Sequence, residues 1–179
     1  MAWRRIGITV AGLLAAGAAQ AQEDALTKAM SRNPERFEAQ AIDLVAGFGG
    51  SEGLKPEGIE THIALKRAGA RAGAMRRFLA MDLDADGSVS RAELAVSQQA
   101  ASAQGRGRME RQFADADVDG SGSVEAAEIA ASGVAAGLAA LDEGEADLLR
   151  ALMQLDADGN GVLQADEVSA AVARLDGPG

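Results

Sequence analysis

The sequence predicts an all-α protein made of helix–loop–helix repeats, arranged as two pairs, with short β-bridges between paired loops. Three observations predict this. Three acidic twelve-residue segments, starting at Asp82, Asp117 and Asp156, align on one pattern. Apolar residues at helical spacing flank each of them. The segments recur at intervals of 35 and 39 residues, as a structural repeat does.

Composition narrows the function before any motif is read. With 17 Lys+Arg against 27 Asp+Glu the net charge is −10, which argues against a protein that neutralises nucleic-acid phosphates. Cysteine is absent, so disulfides, thiol nucleophiles and thiolate metal sites are excluded together. The single histidine, His62, leaves no material for a zinc site or a Ser–His device and is read as a surface or packing residue.

The first twenty-one residues read as an export signal. Arg4 and Arg5 precede an apolar stretch from Ile6 to Ala19, and Ala19-Gln20-Ala21 supplies small residues where a signal peptidase cuts. Cleavage is expected after Ala21, giving a periplasmic or secreted protein with no membrane span in the mature chain. Its removal takes away two bases and no acid, moving the net charge to −12. Residues 22–32 form an N-terminal segment that the sequence leaves open between a short helix and loose chain.

The three aligned segments are Asp82-Leu-Asp84-Ala-Asp86-Gly87-Ser88-Val89-Ser90-Arg-Ala-Glu93, Asp117-Val-Asp119-Gly-Ser121-Gly122-Ser123-Val124-Glu125-Ala-Ala-Glu128 and Asp156-Ala-Asp158-Gly-Asn160-Gly161-Val162-Leu163-Gln164-Ala-Asp-Glu167. In these residues the chain resembles the EF-hand family of secreted, paired-hand type. The resemblance implies three Ca2+ sites, in loops 82–93, 117–128 and 156–167. Calcium is a hard cation that takes 6–8 oxygens at about 2.3–2.6 Å. Short oxygen-bearing side chains at positions 1, 3 and 5 suit that demand: Asp82, Asp84 and Asp86; Asp117, Asp119 and Ser121; Asp156, Asp158 and Asn160. Glycine at position 6 permits the sharp turn. Position 7 (Ser88, Ser123, Val162) gives a backbone carbonyl, and position 9 (Ser90, Glu125, Gln164) reaches the ion directly or through water. Glutamate at position 12 (Glu93, Glu128, Glu167) supplies two oxygens from the exiting helix.

The flanks repeat as well. Position 8 is apolar (Val89, Val124, Leu163), as is position 13 (Leu94, Ile129, Val168), and Phe78, Phe113 and Leu152 stand four residues before each loop. Thirty-five residues before Asp82, Gly47–Gly58 keeps Leu54 at position 8 and Ile59 at position 13. Its ligand positions hold Gly47, Gly49, Ser51 and Gly58, so it reads as a degenerate hand without an ion. Asn33-Pro34 gives its entering helix an N-cap and a first-turn proline.

Neighbouring hands are expected to pair, as 33–103 and 105–176, with the boundary at Gly105-Arg-Gly107. Ser132-Gly133 and Gly137 are expected to interrupt the connection between the last two loops. Lys66, Arg67, Arg71, Arg76 and Arg77 read as a solvated helical face, or more sharply as a docking strip for an acidic partner or a membrane surface. Met30, Met75, Met81, Met109 and Met153 read as core gap-fillers. The expected function is an exported calcium-binding protein, buffering calcium or stabilised by it. The alternative is a sensor that exposes an apolar groove to an unknown protein partner. An enzyme role is not expected, because no nucleophile–base pair is visible and most carboxylates already have ligand roles.

Overall fold

The computed structural model describes residues 23–176; the expected signal segment lies outside them. Residues 23–32 are helical (α1), which settles the open N-terminal segment. There follow α2 (Pro34–Phe48), α3 (Pro56–Leu79), β1 (Val89–Ser90), α4 (Arg91–Gln99), α5 (Ala103–Ala116), β2 (Ser123–Val124), α6 (Ala126–Ala140), α7 (Glu143–Ala151), a 3-10 turn (Leu152–Leu155) and α8 (Ala165–Asp176). The protein is all-α apart from its loop bridges, as the repeat predicts.

Local chemistry sets the helix ends. Asn33 caps α2, its side chain accepting from Arg36 N–H at 3.1 Å, and Pro34 begins the first turn with no donor to lose. Ser90 and Glu93 form a reciprocal capping box on α4. Ser102 caps α5 by accepting from Gly105 N–H. The four helices that leave loops begin at Pro56, Arg91, Ala126 and Ala165, which is position 10 in every repeat, including the degenerate one.

The described residues divide into two compact units, residues 63–143 and a discontinuous one of residues 23–62 with 144–176. In the first, β1 and β2 pair antiparallel with Val89 opposite Val124, joining loop 82–93 to loop 117–128. Around that bridge lie Phe78, Met81, Leu94, Phe113, Ala116 and Ile129, all buried, with Met75 and Met109 packed against them. Phe113 is fully buried, worth roughly 1.5–3 kcal/mol of transfer free energy. The Arg91 guanidinium lies 4.2 Å above its ring and pairs with Glu110 on the same helix. In the other unit Leu54 and Leu163 exchange two backbone hydrogen bonds of 2.9 and 2.8 Å, joining loop 47–58 to loop 156–167. Here α2 packs along α8, and Leu54, Ile59, Leu163 and Val168 are buried to within 1%. Arg150 of α7 makes a two-pronged contact with Glu60 of α3, at 2.6 and 3.1 Å. His62 packs edge-on against Phe48.

The loops therefore pair as second with third and first with fourth, where the sequence suggested neighbours. The physical reason is α3, a single 24-residue helix serving both as exit from loop 47–58 and as entry to loop 82–93. No turn interrupts that helix to fold the two loops back onto one another, and the pairs that form lie within each unit. The Gly105-Arg-Gly107 boundary also falls away, because α5 runs through both glycines. Gly133 and Gly137 do not break the chain either. They are buried within α6, where a Cβ at Gly133 would sit 2.8 Å from the Met75 side chain and one at Gly137 3.2 Å from the Arg67 carbonyl oxygen. These glycines let α6 approach α3 closely. Arg67, grouped by sequence with the solvated cations, instead donates to the Leu141 carbonyl at 2.9 Å, capping the end of α6, and lies 3.1 Å from Glu143.

Gly133→Val should overpack this crossing and lower stability by about 1–3 kcal/mol in denaturant titration. The exposed α4 substitution Val96→Ala should stay within about 0.5 kcal/mol.

Candidate metal centre

Each acidic loop is held by the same set of bonds from its own carboxylates to its own backbone. The position-12 glutamate spans the loop, one oxygen accepting from the N–H at position 2 and the other from the N–H at position 9. For Glu93 these donors are Leu83 at 2.7 Å and Ser90 at 2.8 Å. For Glu128 they are Val118 at 2.8 Å and Glu125 at 3.0 Å, and for Glu167 they are Ala157 at 2.8 Å and Gln164 at 2.9 Å. Position 1 accepts from the position-6 glycine: Asp82 from Gly87 at 3.0 Å, Asp117 from Gly122 at 3.1 Å, Asp156 from Gly161 at 2.7 Å. Position 3 accepts from the N–H at position 5 in all three loops. Position 5 accepts from that at position 7: Asp86 from Ser88, Ser121 from Ser123, Asn160 from Val162.

Two residues per loop must adopt a left-handed backbone to close these short rings. At position 6 they are Gly87, Gly122 and Gly161, with φ between 81° and 89°. At position 4 they are Gly120, Gly159 and, against its side chain, Ala85 at φ 61°.

The bonds gather carboxylates into three groups: Asp82, Asp84 and Asp86; Asp117, Asp119 and Glu128; Asp156, Asp158 and Glu167. In each, one oxygen per residue lies within 4.8 Å of the others. Two oxygens bound to one calcium at about 2.4 Å can be no farther apart than roughly that distance. Glu93 is not in the first group; both its oxygens are engaged by Leu83 and Ser90, whose hydroxyl also donates to it. These backbone donors, Ser90 N–H foremost, hold the Glu93 carboxyl down at about 2.

The donor set suits a cation on a further count. Asp82 Oδ1 and Asp117 Oδ1 are buried and have no hydrogen-bond partner. A buried carboxylate oxygen left without a donor is costly, and a hard divalent ion is the partner such an oxygen accepts. The third loop differs. Asp156 Oδ1 accepts from Gly159 N–H at 2.9 Å and more distantly from Asn160, so both its oxygens are engaged. Burial alone would raise the Asp156 carboxyl, but the Gly161 and Gly159 donors outweigh it and the net direction is down. Asn160 spends an amide proton on Asp158, and Gln164 turns its amide to the Glu52 carbonyl at 2.8 Å instead of toward the cluster.

Loop 47–58 is crowded at two of the matching ligand positions. A Cβ at Gly49, position 3, would lie 2.4 Å from the Gly53 carbonyl carbon, and one at Gly58, position 12, would lie 2.9 Å from both Leu54 and the Phe48 carbonyl oxygen. Its left-handed residues are Gly50 and Gly53, positions 4 and 7, so its turn is wound differently from the other three. Lys55, at position 9, brings a cation that pairs with Glu52 at 2.6 Å.

The family model of the EF hand matches residues 75–96, which span the first acidic loop with parts of both its helices. That stretch is similar to an EF hand. Two further loops repeat its bonding, and the match together with the acidic groups supports an EF-hand calcium-binding protein. No curated protein and no solved structure matches the chain.

The Glu93 brace makes a pH prediction. A carboxyl held below its ordinary value of 4.5 stabilises the folded loop fully above that pH and loses this contribution as pH falls toward about 2. With chelator present, stability should therefore decline between pH 4.5 and 2, and Glu93→Gln should flatten that part of the profile in denaturant titrations.

Proposed function

We propose that this chain is an exported protein that binds three calcium ions and is stabilised by them, acting as a calcium buffer or a calcium-braced structural element. The observation that carries the calcium reading is the pair of buried, partnerless oxygens, Asp82 Oδ1 and Asp117 Oδ1, each within an acidic group. In loop 82–93 the ligands would be Asp82, Asp84, Asp86, the Ser88 carbonyl and Glu93, with Ser90 through water. In loop 117–128 they would be Asp117, Asp119, Ser121, the Ser123 carbonyl and Glu128, with Glu125 at position 9. In loop 156–167 they would be Asp156, Asp158, Asn160, the Val162 carbonyl and Glu167.

Clustered carboxylates repel one another, and a divalent ion removes that repulsion. Each site would add RT ln(1 + [Ca]/Kd) to stability, about 2.7 kcal/mol at a hundredfold excess over Kd. A stabilising role is supported by the closed packing beneath the loops: the apolar residues at positions 8 and 13 are already buried in every repeat. Among the described residues no helix is long and apolar enough to cross a membrane. Export is supported by the layout of residues 1–21.

Isothermal titration of the mature chain should give three calcium sites, with 156–167 the weakest. That loop has three acidic ligand positions against four in the others, and its Asp156 and Gln164 are already committed. Asp82→Asn and Asp117→Asn should each remove one of the tighter sites, whereas fewer than two sites in the unaltered chain defeats the reading. Dye binding to apolar surface should be the same with calcium and with chelator.

A further inference from the structure

From Thr61 to Leu79, α3 carries Lys66, Arg67, Arg71, Arg76 and Arg77 and not one acidic residue, in a chain whose net charge is −10. Arg67 is committed to the end of α6. Lys66, Arg71, Arg76 and Arg77 make no side-chain ion pair or hydrogen bond among the described residues. The apolar residues of the same helix have their own order. Leu65, Ala72 and Leu79 recur every seven residues, and Gly69 and Arg76 fall four after the first two, so all five lie on one helical face. All five are exposed, Leu65 by 59% and Leu79 by 51%, and Leu83 just beyond the helix by 57%. Alternating steps of four and three are the spacing against which a second helix packs its own side chains, and Gly69 and Ala72 leave space for close approach.

We propose that this face of α3 is a docking surface for an acidic amphipathic helix of a protein partner. Charge complementarity selects the occupant, since Arg76 lies on the seam, Lys66 and Arg77 flank it, and the helix carries no acid from Thr61 to Leu79. A second copy of the same face would bring together two helix stretches that carry cations and no acid. A bilayer would gain little, because only two large apolar side chains of the helix project from the face. Calcium enters at one end. Asp82 follows Leu79 by three residues, so carboxylates of a docked helix come within about one Debye length, ~8 Å at physiological ionic strength, of the group Asp82, Asp84 and Asp86. An ion in loop 82–93 cancels that repulsion, making docking calcium-assisted; this clause alone rests on the calcium reading above.

The test uses the full mature chain and two fluorescein-labelled synthetic helical peptides, each three heptads long with leucines at the four–three spacing. One is flanked by glutamates, the other by lysines. Anisotropy should show binding of the glutamate peptide only, tightened several-fold by calcium. The paired substitution Arg76→Glu with Arg77→Glu should weaken it about tenfold, and Leu79→Glu should weaken it as well, with circular dichroism unchanged. Equal binding of both peptides, no binding of either, or insensitivity to these substitutions overturns the proposal. So does α3-dependent dimerisation in sedimentation, or α3-dependent capture by phosphatidylserine vesicles without peptide selectivity. Calorimetry on the same samples separates the two claims: absent calcium binding defeats the calcium reading, while peptide selectivity in chelator still decides the docking face.

Discussion

Which loops meet is governed by the unbroken span of α3. Each twelve-residue loop leaves an apolar residue at position 8 that must be covered by the same residue of another loop, because a lone loop cannot bury it. Two loops joined by one uninterrupted helix have no turn that folds one back onto the other. Loop 82–93 is connected to loop 117–128 by two helices that turn back at Ser102, so Val89 and Val124 can meet in full register. Loop 47–58 is then left with loop 156–167, more than a hundred residues away in sequence, and Leu54 closes on Leu163. The cost of closing so long a connection grows only slowly with its length. The contiguous unit and the discontinuous one follow from these two pairings.

The same carboxylates serve loop structure and candidate binding site, which explains why the loops have one geometry despite differing sequences. A glutamate at position 12 ties the entrance of the loop to its exit, and an aspartate at position 1 ties its own backbone to the turning glycine. Each carboxylate has more lone pairs than these two ties use, and the surplus decides the character of each loop. In the first two loops one position-1 oxygen is buried with no donor, so the folded loop carries an unmet electrostatic demand. In the third loop, nearby N–H groups meet the corresponding demand. Differences among loops of similar sequence thus reside in how many lone pairs the backbone has already taken.

Much of this was legible in the sequence, and the exceptions have physical causes. Positions 8 and 13 and the residue four before each acidic loop identified Phe78, Phe113, Val89, Val124, Leu152 and Leu163 as core, because burial follows helical period and loop register whatever the partner. The nine carboxylates of the three groups were legible for the same reason: a hard cation needs oxygens at fixed intervals. Partner choice was not legible from period, since the 35-residue interval is the same on both sides of loop 82–93. The usable signal was Ser102, a helix cap between α4 and α5 with no counterpart between Thr61 and Leu79. Glycine misled twice. Gly105 and Gly107 sit where capping at Ser102 had already started a helix, and Gly133 and Gly137 serve close packing, a use that propensity alone cannot distinguish from a break. Arg67 was misplaced with its neighbours because charge patterning records spacing and not whether a carbonyl waits at the far end.

Loop 47–58 keeps the bridge of the acidic loops without their carboxylates. Its position-8 residue is fully buried, its exiting helix begins at the same position as the others, and it still offers its backbone to Leu163 and Gln164. Space is short at two of the matching positions: Gly49 and Gly58 sit where backbone and Leu54 come close, so acidic residues placed there would need the loop to shift. Yet loop 156–167 depends on it, because without Leu54 the fourth loop would have no cover for Leu163. This loop supplies the bridge, and through its Glu52 carbonyl it draws the Gln164 amide away from the neighbouring acidic group. Pairing needs the apolar residue and the two backbone hydrogen bonds; an ion on both sides is not among its requirements.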